Sequence, residues 1–298
     1  MQFVRDIFRQ CRVAGRPSIS YEFFTPKTGE GERTLMEKTI PTLFQAAPDF
    51  CSVTYGAGGS TRDKTLSLVD RIQREHQVTS MAHLTCVGST REQVQAIIAQ
   101  ARALNIRNLL ALRGDPPEGS IEFTKTEGGF EYAYQLVQLI RESGGFSIGV
   151  AGFPEGHIAC KEGKEADWQR LKEKIDCGAD FVISQIFFDN DDFESFREHL
   201  TVKLGVTVPI VPGILPILSG RQVKKFTLMC GARLPRHFLL RLDDLRDRDD
   251  AVTEFGIEYA TKQCEGLLKQ GVPGLHFYTL NKVHSTARIL QNLALKRG

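Results

Sequence analysis

Residues 20–26 read Ser20-Tyr21-Glu22-Phe23-Phe24-Thr25-Pro26, which places one acidic side chain among aromatic residues near the end of an apolar run. We predict a buried strand here. A carboxyl group in a buried, apolar setting is costly to ionise, so its pKa should be raised. A raised pKa is what a general acid needs when it works near neutral pH. The stretch therefore predicts that Glu22 is a proton donor at the end of a strand.

Seven further apolar runs along the chain also stop abruptly at polar or glycine-bearing residues. The eight predicted strands are Ser18–Phe24, Phe50–Tyr55, Thr79–Val87, Asn108–Arg113, Phe146–Phe153, Phe181–Phe188, Thr207–Leu215 and Leu275–Leu280. Helical spacing fills the intervals, and strict alternation of strands and helices favours an all-parallel sheet. Eight such units, with functional side chains at the carboxyl ends of many strands, are typical of a closed barrel. We therefore predict an α/β protein with a (β/α)8 TIM barrel.

The interval from Ser219 to Gly271 is longer than the others and has room for about three helices, so we predict extra helices between strands 7 and 8. Ser89 and Glu92 predict a capping box for the helix after the third strand. The last helix is predicted from Ser285 to Leu295. No linker rich in Gly, Ser or Pro divides the chain, so we predict a single catalytic domain over residues 1–298.

Charge and cysteine content argue against some kinds of partner. The chain has 298 residues, with 38 Lys and Arg against 36 Asp and Glu, and a formal net charge of +2. This balance gives no electrostatic reason to expect a nucleic acid or an anionic membrane as partner. No apolar stretch approaches the roughly 18 residues of a membrane span. The seven cysteines are odd in number and form no CxxC motif, which favours reduced thiols in a cytoplasmic protein.

Three segments at strand ends could contact a ligand. Arg113 and Asp115 share strand parity, so they form either an internal ion pair or a site with Asp115 as a positioned carboxylate. The stretch from Gly56 to Thr61 is either a flexible turn or a backbone cradle for a cofactor phosphate or ring. Gln185 lies among apolar residues, and a buried amide suits a heterocycle with alternating donors and acceptors, such as a pterin.

A metal site has weaker support in the sequence. His83, His157 and Cys160 form a conceivable zinc trio. A lone histidine at a strand end is more often a hydrogen-bonding residue than a ligand, and no acidic cluster of the metal-binding type accompanies it. We therefore predict no bound metal.

Seven segments resemble the methylenetetrahydrofolate reductase family, in family order and over nearly the whole chain. They are Tyr21–Phe24, Ser52–Ala57, His83–Cys86, Ala111–Asp115, Ser184–Asp189, Val211–Pro216 and Leu275–Asn281. The resemblance implies an FAD-binding barrel that reduces 5,10-methylenetetrahydrofolate to 5-methyltetrahydrofolate with NADH or NADPH, and so supplies methyl groups for methionine synthesis. It also implies a ping-pong reaction through FAD.

The resemblance implies roles for particular positions. Glu22 would be the general acid that helps to open the folate imidazolidine ring to an iminium, and Asp115 would act between flavin and folate. The residues implied to bind FAD are Thr54, Tyr55, Ala57, His83, Arg113, Gly114, Asp115, Ala133, Phe153, His157, Cys160, Asp167, Arg170 and Lys174. The residues implied to contact folate or nicotinamide, which use one site in turn, are Glu22, Asp115, Gln185, Gln222, Phe226 and Lys282.

The sequence departs from the family pattern at four positions. Phe153 and Lys282 stand where the family commonly has tyrosine and arginine, and a lysine lacks the bidentate fork of arginine. Arg170 and Glu173 stand where bacterial relatives often have Asn and Arg. The chain ends with the barrel, so we expect no regulatory domain that binds S-adenosylmethionine. We expect a homo-oligomer.

Two other functions compete with the reductase. The first is a metal-dependent barrel lyase or hydrolase that uses His83, His157 and Cys160. The second is a barrel that binds folate or flavin without turnover, and the presence of both Glu22 and Asp115 argues against it.

Overall fold

A computed structural model describes residues 1–55, 62–114, 125–245 and 248–295 of the chain. Two residues of the predicted site, Ala57 and Asp115, lie outside these ranges.

The strands form one parallel sheet in the order β7-β6-β5-β4-β3-β2-β1-β9-β8. Their bounds are β1 Ser18–Phe23, β2 Phe50–Val53, β3 Ser80–Thr85, β4 Asn108–Leu112, β5 Ser147–Gly152, β6 Phe181–Ser184, β7 Ile210–Val211, β8 Gly213–Ile214 and β9 Gly274–Tyr278. All the pairings between neighbouring strands are parallel. The predicted (β/α)8 TIM barrel is confirmed.

The predicted seventh strand is broken at Pro212, which has no N–H to donate to a neighbouring strand. β7 pairs with β6, whereas β8 pairs with β9. The carbonyl of Pro212 accepts a hydrogen bond from the backbone N–H of His276 at 3.0 Å. The two short strands thus share one position in the barrel, and the sheet closes across the break.

Helices surround the sheet and fill the interval before β9. Their bounds are α1 Val4–Val13, α2 Gly29–Thr34, α3 Ile40–Phe44, α4 Arg62–His76, α5 Arg91–Ala103, α6 Ala133–Ser143, α7 Lys164–Asp176, α8 Asn190–Glu198, α9 Gly220–Cys230, α10 Arg236–Asp244, α11 Asp249–Lys269 and α12 His284–Leu293. π-helical turns join α2 to α3 and extend α8. The prediction of about three helices before the last strand is confirmed by α9, α10 and α11. Among the helices of the described ranges, none has the length and apolar character needed to cross a membrane.

The capping box of α5 lies one residue later than predicted. Thr90 is the N-cap, its hydroxyl accepts from the N–H of Gln93 at 3.3 Å, and the Gln93 amide oxygen accepts from the N–H of Thr90 at 2.9 Å. The prediction of Ser89 and Glu92 was wrong because Ser89 is buried before the helix begins.

Helix α1 closes the amino-terminal end of the barrel. The N–H of Val4 donates to the Asn108 side chain at the start of β4, at 2.7 Å. The N–H of Arg5 donates to the Ser147 hydroxyl at the start of β5, at 3.1 Å. Phe8 packs against Phe50 and Phe181, with ring centroids 5.8 and 5.3 Å apart. The carboxyl-terminal end, here called the mouth, is therefore the end that can hold a site.

A second hydrophobic cluster lies apart from the main core. It contains Ile186 and Leu215, which follow β6 and β8, together with Val223 of α9 and Phe238 of α10. Because β6 and β8 end at the mouth, this cluster holds α9 and α10 beside it.

The plug formed by α1 can be tested by truncating Phe8, which is 4% exposed. Replacing Phe8 by Ala should lower the free energy of unfolding by about 3–5 kcal/mol, because the aromatic side chain leaves a cavity inside the barrel. Urea denaturation measures this change. Val13→Ala on the same helix is the control, and because Val13 is 82% exposed it should change the free energy by no more than about 0.5 kcal/mol. Equal effects of the two substitutions would contradict the proposed plug.

Candidate active site

Glu22 lies inside the barrel near the mouth. Glu22 is 6% exposed, and in the sheet it lies opposite Ser52 of β2 and Tyr278 of β9. Its carboxylate oxygen Oε2 is 3.3 Å from Nε2 of His83 and 3.7 Å from Nε2 of His276. Neither Nε2 atom makes a hydrogen bond within the described ranges, so each contact is an ion pair when the imidazole carries a proton. Two imidazole rings from β3 and β9 therefore face one buried carboxyl group.

The pKa of Glu22 is shifted in the direction opposite to the prediction. Burial raises the pKa, as the sequence indicated, but the attraction of His83 and the contact with His276 outweigh burial and lower the pKa to about 2. An imidazole that carries a proton stabilises the carboxylate form of its neighbour. Glu22 is therefore ionised near neutral pH.

Ser20 and His276 were missed as site residues by the sequence analysis. The Ser20 hydroxyl lies 2.8 Å from Nδ1 of His276, and both residues are fully buried. Ser20 lies two residues before Glu22 and so shares its face of β1. The shared strand face of Ser20 and Glu22, together with the histidine in the segment Leu275–Asn281, could have indicated from the sequence that Ser20 and His276 belong to the site. The contact fixes the orientation of the His276 ring beside Glu22.

Tyr278 connects the Glu22 side of the mouth to β6. Its hydroxyl donates to the carbonyl of Ser184 at 2.6 Å, next to Gln185. A Cβ on Gly213 would lie 2.6 Å from the Tyr278 ring, so glycine leaves the space that this ring occupies. Burial, together with the nearby charge of Glu22, raises the pKa of Tyr278 well above its usual value. The phenol is therefore a neutral donor that ties β9 to the strand end carrying Gln185.

The loop between β5 and α7 brings several of the residues implied to bind FAD together. The rings of Phe153 and His157 meet edge to face, with centroids 4.6 Å apart. Oδ2 of Asp167 accepts from the N–H of His157 at 3.2 Å, and Nζ of Lys174 donates to the carbonyl of Ala151 at 2.8 Å. Trp168 donates from its ring N–H to the carbonyl of Phe153 at 2.8 Å. Helix α7 thus holds the shape of this loop from beneath.

The two charged members of this group are poorly solvated. Burial lowers the pKa of Lys174 to about 8, although the charge of Asp167 opposes this shift. Burial also raises the pKa of Asp167, against the attraction of Lys174. Further out, Arg170 pairs with Glu162 at 2.6 Å, and its guanidinium lies 3.1 Å from Sγ of Cys160. The structure therefore brings Cys160 and Arg170 together at the exposed side of the loop.

The remaining residues implied to bind FAD lie at strand or helix ends. Thr54 and Tyr55 follow β2, Arg113 and Gly114 follow β4, and Ala133 begins α6. A side chain at Gly114 would be strained, since its φ is +90° and a Cβ would collide with Val87. These positions lie at the carboxyl ends of strands or at the start of a helix, and their role in binding FAD stays a prediction.

The residues implied to bind substrate lie on different elements of the mouth. Gln222 and Phe226 are four residues apart on α9 and share a face of that helix. The side-chain amide oxygen of Gln222 accepts a hydrogen bond from the backbone N–H of Leu218 at 2.7 Å. The backbone N–H of Gln222 donates to the Ser219 hydroxyl at 3.2 Å. Lys282 is exposed in the segment between β9 and α12. Gln222 therefore also stabilises the start of α9.

The conceivable zinc trio is not assembled. His83 lies beside Glu22, whereas His157 and Cys160 lie in the loop after β5. Within the described ranges, no group of three or more His, Cys, Asp or Glu residues is arranged to hold a metal ion. The geometry gives no support to the metal-dependent lyase or hydrolase.

The influence of His83 on Glu22 can be measured directly. In His83→Asn, Glu22 should titrate at a higher pH than in the parent protein, because burial then acts with less opposition. Carbon-13 NMR of protein labelled at the glutamate carboxyl carbons reports this titration. His284→Asn removes an exposed pairing with Glu254 and should leave the Glu22 signal unchanged. An unchanged Glu22 titration in His83→Asn would show that the imidazole does not stabilise the carboxylate.

Known proteins of one family resemble this chain in sequence. The model of the family described as methylenetetrahydrofolate reductase matches residues 7–294. Methylenetetrahydrofolate reductase (NADH) 1 of Arabidopsis thaliana is 39% identical over 98% of this chain and 51% of its own length. The chain spans about half the length of the plant relatives it matches. The 5,10-methylenetetrahydrofolate reductase of Escherichia coli (strain K12) is 37% identical over 99% of this chain and 97% of its own length.

Solved structures with little sequence identity share the fold. An uncharacterised protein from Clostridium thermocellum, described as binding two copies of 5-methyl-5,6,7,8-tetrahydrofolic acid, has a TM-score of 0.62 at 16% identity and covers 96% of this chain and 98% of its own. Tryptophan synthase from M. tuberculosis has a TM-score of 0.53 at 12% identity, with 98% of both chains covered. The family match over nearly the whole chain and the bacterial relative of equal length agree. The chain belongs to the methylenetetrahydrofolate reductase family.

Proposed function

We propose that the chain catalyses the flavin-dependent reduction of 5,10-methylenetetrahydrofolate to 5-methyltetrahydrofolate, with NADH or NADPH as the hydride source. The observation that carries this proposal is the buried carboxylate of Glu22, held between His83 and His276 at the mouth of a barrel of this family. A proton source at that position suits a reaction in which a carbon–nitrogen bond of the folate opens. The product would supply methyl groups for methionine synthesis.

The residues around the mouth fit FAD as the cofactor. The hydroxyls of Ser52 and Thr85 are buried and make no hydrogen bond within the described ranges. Both lie near the carboxyl ends of their strands, and a polar ring system above them would satisfy these groups. The proposed FAD-binding residues are Thr54, Tyr55, Ala57, His83, Arg113, Gly114, Asp115, Ala133, Phe153, His157, Cys160, Asp167, Arg170 and Lys174. When bound, the flavin would accept a hydride from the nicotinamide and later pass one to the folate.

Cations of α7 would hold the charged part of this cofactor. Lys174 is the half-buried cation beneath the loop after β5, and Arg170 lies on the same helix one turn earlier. A phosphate near either side chain would gain a charge-assisted hydrogen bond. Phe153 would contribute an aromatic edge to this loop and no hydroxyl group.

Glu22 would deliver the proton that the folate nitrogen needs. Because its pKa is lowered to about 2, the carboxylate does not store that proton itself. We propose that the proton passes from His83 or His276 to Glu22 and then to the folate nitrogen as the imidazolidine ring opens to an iminium. Ser20 would keep the His276 ring in position for this transfer. The surrounding burial excludes water, so the proton is not lost to solvent.

Folate and nicotinamide would use the same cleft in turn. The side chains of Gln185, Gln222 and Phe226 offer amide donors and acceptors and an aromatic face, which suit either planar ring. Lys282 would meet a carboxylate or the pterin edge at the rim. Asp115 would act between the flavin and the folate.

We also propose that the protein works in a reducing compartment such as the cytoplasm. None of the seven cysteines, all of which lie in the described ranges, forms a disulfide bond. Burial raises the pKa of Cys51 to about 12 and that of Cys86 to about 11, which keeps both as protonated thiols. We further propose one catalytic domain and a homo-oligomer.

Replacing Glu22 by Gln should slow folate reduction by about 10²–10⁴-fold, because the proton route ends at an amide. Reduction of the flavin by NADH needs no such proton and should change little. Stopped-flow absorbance separates the two half-reactions. Glu254→Gln, at an exposed carboxylate that pairs with His284, is the control and should leave both rates unchanged. Equal slowing of both half-reactions would assign Glu22 a structural role.

A shared cleft should give ping-pong kinetics, with the oxidised nicotinamide leaving before folate binds. Initial rates measured against NADH at several fixed folate concentrations should give parallel double-reciprocal lines. Intersecting lines, or a crystal structure with both substrates bound, would establish two separate sites.

A further inference from the structure

Three separate elements meet at the side chain of Arg233, which follows α9. Its Nε lies 2.8 Å from Oε2 of Glu155, in the loop after β5. Its Nη2 lies 2.9 Å from Oδ1 of Asp192, in the first turn of α8. The backbone N–H of Arg233 also donates to both oxygens of Glu155, at 3.0 and 3.1 Å. One residue thus joins the end of α9 to two elements of the barrel.

This contact differs from an ordinary surface ion pair, which contributes little to stability. The Arg233 side chain is 74% exposed, but the side chains of Glu155 and Asp192 are only 9% and 16% exposed. Burial raises the pKa of Glu155, and the charge of Asp192 raises it further, while Arg233 acts against both. Without the guanidinium, two poorly solvated carboxylates would face each other, which is unfavourable.

Helix α9 has few other anchors. Val223 is the one fully buried side chain of this helix, and Leu228 and Met229 near its end are 82% and 58% exposed. Gly231 ends the helix with a φ of +73°, and a Cβ there would collide with Ile158 of the loop after β5. The carboxyl end of α9 therefore rests on that loop at Gly231 and is tied to it at Arg233.

The two ends of this connection belong to different parts of the proposed site. Helix α9 carries Gln222 and Phe226, the proposed contacts to folate and nicotinamide. The loop after β5 carries Phe153 and His157, two of the proposed contacts to FAD. The position of α9 over the mouth is thereby linked to the loop on the flavin side.

We propose that Arg233 is a positioning residue that ties the substrate helix α9 to the flavin loop, and so sets the affinity of the shared cleft for both substrates. This inference rests on the proposed function. Arg233 touches neither reacting group, so its loss should act on substrate binding and leave the chemical steps intact. Because folate and nicotinamide use the same face of α9, the effect should extend to both.

The test compares Arg233→Ala, Arg233→Lys and Arg241→Ala in the flavin-loaded protein. Because a partly buried ion pair stabilises the position of α9 more than an exposed pair would, Arg233→Ala should raise the KM for NADH and for folate by about 3- to 10-fold, while kcat stays within about twofold. Arg233→Lys keeps the charge without the fork, so it should restore part of the loss. Arg241 pairs at 4.0 Å with Asp244 on α10, and its replacement by Ala is the matched control for loss of one exposed arginine.

Glu155→Gln gives a second route to the same answer if Arg233→Ala folds poorly. It should raise both KM values, and the double variant should be no worse than the worse single variant, because both substitutions break one contact. Unchanged KM values in Arg233→Ala and Glu155→Gln would overturn the proposal. The proposal would also be overturned if Arg241→Ala raised both KM values as much as Arg233→Ala does. The increase would then result from the loss of one positive charge and not from the loss of the contact with Glu155 and Asp192.

Hydrogen–deuterium exchange separates this inference from the proposed function. Amides of residues 220–230 should exchange faster in Arg233→Ala than in the parent protein, whereas those of α11 should not. If the parent protein does not reduce folate, the proposed function fails, and the exchange measurement still tests the link. Equal exchange of residues 220–230 in the two proteins would overturn the link itself.

Discussion

The buried carboxylate of Glu22 is the constraint on which the mouth of the barrel depends. A charge in a poorly solvated interior must be compensated by groups held at a fixed distance. Here the compensation comes from His83 on β3 and His276 on β9, which lie on either side of β1 in the sheet. The backbone N–H of His276 in turn donates a hydrogen bond to the carbonyl of Pro212, at the break in the seventh barrel position. Closure of the barrel and the charge state of its acid therefore depend on the same strand.

The amino-terminal end of the barrel is packed for stability, whereas the mouth carries the candidate site. At the amino-terminal end, α1 fills the interior with Phe8 and uses the side chains of Asn108 and Ser147 to satisfy its first N–H groups. At the mouth, the interior is polar and the covering elements are lightly anchored. Helix α9 in particular has one fully buried side chain and is tied down by Arg233. A lightly anchored cover would suit the proposed use of one cleft by two substrates in turn.

Local patterns in the sequence predicted the features that depend on neighbouring residues. Alternation of apolar runs and helical spacing was sufficient for the barrel, and the end-of-strand position of Glu22 was sufficient to place it at the mouth. The direction of its pKa shift was predicted wrongly because the two histidines lie far from it along the chain. The break at Pro212 and the plug formed by α1 likewise depend on contacts that form only when the sheet closes. The roles of the individual site residues, including Ala57 and Asp115 outside the described ranges, are still predictions.

The ionised state of the buried Glu22 carboxyl group can be tested by locating the proton among Glu22 and its two histidine neighbours. Neutron diffraction from deuterated crystals at a pH of about 5, below the ordinary pKa of histidine and above that of glutamic acid, can locate it. We expect a deuteron on Nε2 of His83 or His276 facing Glu22, and none on either carboxylate oxygen. A deuteron on the Glu22 carboxyl group, with no deuteron on Nε2 of either ring, would contradict it.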